Sequence, residues 1–262
     1  MIKQAIQKIG LTTNALLVRS GVMRLPFARR TFVYAYTWYK ERIEAGPVEA
    51  LRKFVPSGTL VIDVGANIGF FTTRFADWTG PQGHVMAIEP DLENFGSLEQ
   101  RLRQHGSIER TTRLNAVAAS EPGSLFLKRN EVHPGDHKIA TDGEGIKVAA
   151  VAIDDIVAGH ASRDLSMIKI DVQGAEMVVL AGAQKVLQER SAALFIEVDE
   201  KALMAFGTSS HALFAHLRSF GYSGYELGED GSLTPFENSA LQTRLADGGY
   251  VDVLFLKQND SR

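Results

Sequence analysis

The stretch "VIDVGANIGFF", residues 61–71, decides how the chain is built. Val61, Ile62 and Val64 read as a buried strand, and Gly65 ends it. Gly65 and Gly69 then turn the chain into the helical spacing of "GFFTTRFADW". This turn is not the dinucleotide fingerprint, which needs glycines at relative positions one, three and six. Nor does Gly-Lys-Ser/Thr follow it, so a phosphate loop is excluded as well. A glycine turn after a strand still lets the backbone approach a ligand closely.

The acids around the turn narrow the ligand. A carboxylate at the end of the strand, Asp63, repels phosphate and attracts an ammonium group. Glu89 ends the next strand, "HVMAIEP", where a carboxylate accepts hydrogen bonds from ribose hydroxyls. A nucleoside with a cationic amino-acid tail and no pyrophosphate fits both, and S-adenosylmethionine matches that description.

Outward from the turn, strands and helices alternate. "DLENFGSLEQRLRQHG" is a helix with Asp91 as its N-cap. "TTRLNAVAA" is a third strand, and "LSMIKIDV", "AALFIEVDE" and the closing "YVDVLFLK" are further strands. "GAEMVVLAGAQKVLQER" and "SHALFAHLRSFG" are the helices between them. Such alternation predicts a doubly wound, mostly parallel Rossmann-like sheet with helices on both faces. Residues 123–151 break the rhythm: "GSLFLKRN" and "IKVAAVAI" read as paired strands around the polar loop "EVHPGDHKIATDGEG", an inserted hairpin. Residues 1–50 read as a helical N-terminal cap and residues 51–262 as the main domain.

Bulk composition sets bounds. The 262 residues are 45% hydrophobic and 23% charged, with a net charge of −3 and no cysteine. The charge does not suit a nucleic-acid binder. Without cysteine there is no disulfide, thiolate nucleophile or thiolate metal site, and a cytoplasmic protein is expected. The N-terminal 45 residues run against the acidic balance: Lys3, Lys8, Arg19, Arg24, Arg29, Arg30, Lys40 and Arg42 face only Glu41 and Glu44, with aromatics interleaved in "RRTFVYAYTWYK". That segment either packs on the core or makes peripheral contact with the inner face of an anionic membrane.

In this order, "VIDVGANIGFFT", "AIEPD", "KIDVQGAE" and "FIEVDE" resemble the FkbM-type S-adenosylmethionine-dependent methyltransferases, over roughly residues 55–257. "IKIDVQGAE" is the most specific of these segments, and Gln173 departs from the glutamate the family often carries there. The resemblance implies a seven-stranded sheet with the last strand antiparallel, S-adenosylmethionine as cofactor, and methylation of a hydroxyl on a sugar, glycolipid or natural product. It implies a cofactor site built from Asp63, Gly65, Ala66, Asn67, Gly69, Phe70, Glu89, Pro90, Asn115, Ala118, Asp171 and Gln173. The rivals are N- or C-methylation of a small molecule, and a non-catalytic cofactor-binding scaffold.

Three residues are candidates for handling the acceptor proton. Asp171 ends its strand with Lys169 on the same face, because side chains repeat every two residues. Glu197 ends the next strand in the same way. His137, in the loop that also holds His133 and Asp136, is of the side-chain type best able to exchange a proton near neutral pH. These residues show no tight metal-ligand spacing, so no metal is expected. His211 and His216 read as surface or packing residues.

Overall fold

β1 (Leu60–Val64) is buried along its whole length because it pairs in parallel on both sides, with β2 (His84–Ile88) and with β8 (Leu165–Ile170). The structure, a computed structural model, describes residues 48–128, 138–139, 144–236 and 250–257. Both faces of this central strand are covered, so its sequence is apolar almost throughout rather than alternating.

The other strands are β3 (Thr111–Leu114), β4 (Ala116–Ala118), β5 (Gly123–Lys128), β6 (Lys138–Ile139), β7 (Ile146–Val151), β9 (Ala193–Asp199), β10 (Tyr222–Leu227), β11 (Leu233–Pro235) and β12 (Tyr250–Lys257). The main sheet has the order β11-β10-β12-β9-β8-β1-β2-β3, and a second sheet has the order β4-β7-β5-β6. Of the main sheet, β3, β2, β1, β8 and β9 are mutually parallel, while β12 is antiparallel to β9 and to β10. The order reverses direction at β1. Its carboxyl end and that of β8 therefore open a crevice, where α/β sheets bind ligands.

Among the described residues seven helices flank the strands: α1 (Phe70–Thr79), α2 (Leu92–His105), α3 (Ile153–Ala158), α4 (Glu176–Ala181), α5 (Gln184–Glu189), α6 (Glu200–Ala205) and α7 (Ser210–Ser219). They cover both faces. Leu60, Ile62, Ile168 and Ile170 pack with Ile153, Leu187 and Leu213 on one side. Val61, Val85, Met167 and Phe195 pack with Phe75 of α1 and Leu51 of a short 3-10 turn on the other. Asp91 caps α2 as expected, accepting from the amides of Glu93 and Asn94.

Four details differ from the sequence reading. Among the described residues the main sheet has eight strands, because short β11 adds to the outer edge of β10. β10 itself escapes a period-two reading, since Gly224 and partly exposed polar residues interrupt it. The third strand divides at Asn115, and its second half, β4, leaves to pair with β7 in the other sheet. The long helix over 174–190 breaks at Gly182, where a Cβ would lie 2.0 Å from the Ala119 carbonyl oxygen. The hairpin in 123–151 is present: β5 and β7 pair antiparallel. The N-terminal segment, including its basic and aromatic residues up to 47, lies outside the described residues, and so does His137. Among the described residues no helix is long and apolar enough to cross a membrane.

Candidate active site

The turn after β1 is tied down by backbone bonds. The amides of Gly65 and Ala66 both donate to the Ile88 carbonyl at the end of β2, each at 3.0 Å, and the Gly69 amide donates to Ala66 at 2.9 Å. Asn67 then adopts a left-handed backbone (φ 49°), and its amide donates to Glu89 Oε2 at 2.8 Å. Asparagine tolerates that conformation better than most side chains. Gly65 is also left-handed (φ 74°), and a Cβ there would stand 1.9 Å from the Asp171 carbonyl oxygen. Glycine is needed because two strand ends meet backbone to backbone.

Glu89 is 4% exposed. Its second oxygen accepts from the Asp91 amide at 2.9 Å. Burial pushes its carboxyl up to about 7, against the pull of these backbone donors. Asn115 stands beside it, donating its side-chain amide to the carbonyls of Glu89 and Pro90 at 3.0 and 2.9 Å. It thus fixes the end of β2, and this contact accounts for the break in the third strand.

Beneath the turn lies a buried charge cluster. Asp63 faces α1, as alternation along β1 requires, and is fully buried. Its Oδ2 accepts from the Thr72 hydroxyl at 2.6 Å, and Lys169 Nζ stands 3.7 Å from Oδ1. Burial pushes the Asp63 carboxyl up, while the Lys169 ammonium and Thr72 hydroxyl pull it back. Lys169 also donates to the Gly65 carbonyl at 3.0 Å and to Asp171 Oδ2 at 3.3 Å, and it lies 5.1 Å from the Phe71 ring centroid. One buried cation thereby joins the ends of β1 and β8.

A second network lies at the ends of β8 and β9. Gln173 Nε2 donates to Asp171 Oδ1 at 3.2 Å and to Glu197 Oε1 at 2.9 Å. Glu176 braces this turn: its Oε1 accepts from the Gly174 amide at 3.0 Å, and burial pushes its carboxyl up to about 7.

One cleft collects these features. Of the residues expected at the site, Gly65, Asn67, Glu89, Pro90, Ala118, Asp171 and Gln173 line it. Asp63, Ala66, Gly69, Phe70, Asn115 and Glu197 are not among its lining residues, and Glu197 accepts from the Gln173 amide. Gly69 is the left-handed N-cap of α1 (φ 86°). Sequence reasoning missed two kinds of contributor. Val117 and Leu127 wall the cleft from the second sheet, whose attachment no local pattern announces. Thr72 and Glu176 brace it, and Glu176, three residues past Gln173, sits where an acid caps a turn.

Glu89 and Glu176 both have folded-state values above the ordinary carboxylate range. These two carboxyls therefore bind more protons in the ligand-free fold than in the unfolded chain between about pH 4.5 and 7, and the stability they contribute falls as pH rises through that window and levels off above it.

The model of the methyltransferase FkbM domain matches residues 63–223. Among curated proteins, the hexuronic acid methyltransferase AglP of Haloferax volcanii is 23% identical over 196 residues, covering 70% of this chain and 79% of the relative. Among solved structures, a putative rRNA methylase from Clostridium thermocellum is similar at 10% identity and a TM-score of 0.46, over 80% of this chain and 94% of that chain. A SAM-dependent methyltransferase from Aquifex aeolicus is similar at 14% identity and a TM-score of 0.45, over 80% and 88%.

Proposed function

The chain belongs to the FkbM methyltransferase family and uses S-adenosylmethionine, and we propose that it moves the methyl group to a hydroxyl oxygen of a sugar, glycolipid or natural product. The observation that carries this reading is the placement of two carboxylates, Asp171 and Glu197, on one amide at the end of the crevice beside the Gly65–Asn67 turn. The curated hexuronic acid methyltransferase supports a sugar-type acceptor.

The residues suit the cofactor. Gly65, Ala66 and Asn67 offer a tightly held turn, and Glu89 offers a desolvated carboxyl on the cleft wall, poised to accept from ribose hydroxyls. When bound, S-adenosylmethionine supplies a methyl group made electrophilic by its sulfonium. The chain's own tasks are to hold the acceptor oxygen in line with that methyl and to receive its proton. A sugar hydroxyl is a poor nucleophile at neutral pH, so proton removal accompanies transfer. Asp171, on the cleft wall, takes this role in our reading. Glu197 supports it, and His137 is the alternative.

The reading is tested with methyl-labelled S-adenosylmethionine and a panel of neutral glycosides, hexuronic acid glycosides and amino sugars. A base-stable methyl ether is the expected product. A base-labile methyl ester, an N-methyl amine or a C-methyl product would replace the hydroxyl with another acceptor group.

Ribose recognition by Glu89 predicts a pH dependence. Hydroxyl donors favour the ionised carboxylate, whereas the free protein holds Glu89 near pH 7. Affinity for S-adenosylhomocysteine should therefore weaken as pH drops below about 7, by up to about tenfold per unit, and level off above it. Glu89→Gln should bind more weakly and flatten the dependence. Calorimetry across pH 5.5–8.5, as an order-of-magnitude window around that value, reads both. A wild-type affinity constant over the range would remove Glu89 from the ribose.

A further inference from the structure

We propose that Gln173 is a positioning residue that holds the Asp171 and Glu197 carboxylates together as a pair, and that its left-handed backbone is retained for that contact. This role rests on the proposed reaction only in that the pair would serve the acceptor.

Backbone and side chain point the same way. Among the described residues only Asn67 and Gln173 have positive φ without being glycine. Asparagine, like aspartate, has a short polar side chain that can bond locally in this conformation. Glutamine has no such local reason to be left-handed, so its presence asks for a contact made by the side chain. The side chain makes that contact: one NH₂ group gives one hydrogen to Asp171 at 3.2 Å and the other to Glu197 at 2.9 Å. Only the NH₂ end of the amide can face two carboxylates.

The turn is built to aim this amide. Gly174 follows with φ 103°, and a Cβ there would lie 2.4 Å from the Ala202 carbonyl oxygen, so the turn is pressed against the start of α6. Glu176 holds the Gly174 amide at 3.0 Å. The two carboxylate oxygens bonded to one nitrogen lie no more than about 6 Å apart, a range in which like charges raise each other's proton affinity. A donor between them offsets that repulsion and fixes both orientations. Strained backbone gathers at functional sites for reasons of this kind.

The decisive variant is Gln173→Gly. It removes the amide while giving the left-handed position the residue it favours, so the melting temperature should hold or rise. Affinity for S-adenosylhomocysteine should stay within about threefold. In carboxyl-¹³C NMR titrations, with signals assigned from Asp171→Asn and Glu197→Gln, the remaining pair should titrate higher by about one pH unit. Gln173→Glu, which puts a third carboxyl between the two, should push the titrations further up and make them visibly coupled. On an acceptor found in the panel, turnover should fall at least about tenfold in Gln173→Gly, with the KM for S-adenosylmethionine little changed. Unchanged carboxyl titrations in both variants would overturn the proposal. So would a Gln173→Gly protein that melts well below the parent and titrates like it, since Gln173 would then only shape the turn. The titrations need no acceptor, so a failed acceptor screen would count against the proposed reaction and not against this role.

Discussion

Gly65→Ala should abolish measurable S-adenosylhomocysteine binding while leaving a folded, less stable protein. Two costs add at this position. An alanine at φ 74° carries left-handed strain of about 1–2 kcal/mol. Its Cβ would also stand 1.9 Å from the Asp171 carbonyl oxygen, which is backbone and cannot rotate away. Relieving an overlap of that size costs about 1–3 kcal/mol or more and must spread β1 from β8. The total of about 2–5 kcal/mol should lower the melting temperature by roughly 4–20 °C. That loss is less than most folds can bear. The spread falls where the turn, Lys169 and Asp171 meet, so the ligand site suffers more than the fold. Gly58→Ala is the control: φ is 85°, but nothing lies within 4 Å of its added Cβ. It should show the backbone cost alone and leave binding intact. A Gly65→Ala protein that binds like the parent would mean that the close approach of the two strand ends does not build the site.

How much of this was legible depends on where each residue's reasons lie. β1, β2 and β8 announce themselves, because strands buried on both faces need apolar residues at nearly every position. The crevice at the reversal of strand order follows from alternation of strands and helices. The ends of β10 and the short β11 are edge elements, and an edge strand can carry serine, glycine and glutamate without penalty, so no pattern marks it. The break at Asn115 is invisible for another reason: its cause is a pair of bonds to carbonyls some 25 residues away. Asp63 is the most instructive residue. A carboxylate at a strand end suggests a ligand's ammonium group, yet the cation bound to it is the chain's own Lys169. Alternation could place Asp63 on the face of Val61. Only the register between β1 and β8, which sets Asp63 opposite Lys169, reveals the partner.

The same register bears on the proton acceptor. Asp171→Asn should lower turnover by about 100- to 10,000-fold on a confirmed hydroxyl acceptor, the usual contribution of a positioned base, while S-adenosylhomocysteine affinity changes little. Three candidates compete, and the geometry separates two of them. Asp171 lines the cleft, whereas Glu197 is not among its lining residues and accepts from the amide of Gln173, which is. Glu197→Gln should therefore cost less, acting through the orientation of Asp171. Lys169 holds Asp171, with its ammonium 3.3 Å from Oδ2. The same contact fixes the carboxylate's direction, and a base gains from orientation as well as from proton affinity. Lys169 also stands 3.7 Å from Asp63 Oδ1 beneath, so one ammonium serves both carboxylates. Two variants settle the order. If Asp171→Asn keeps near-parental turnover while Glu197→Gln loses it, the base is Glu197 and Asp171 is part of the Lys169 network. If both keep it, His137→Ala should carry the loss. Retained activity in all three would leave methyl transfer to positioning alone, with the proton passing to solvent.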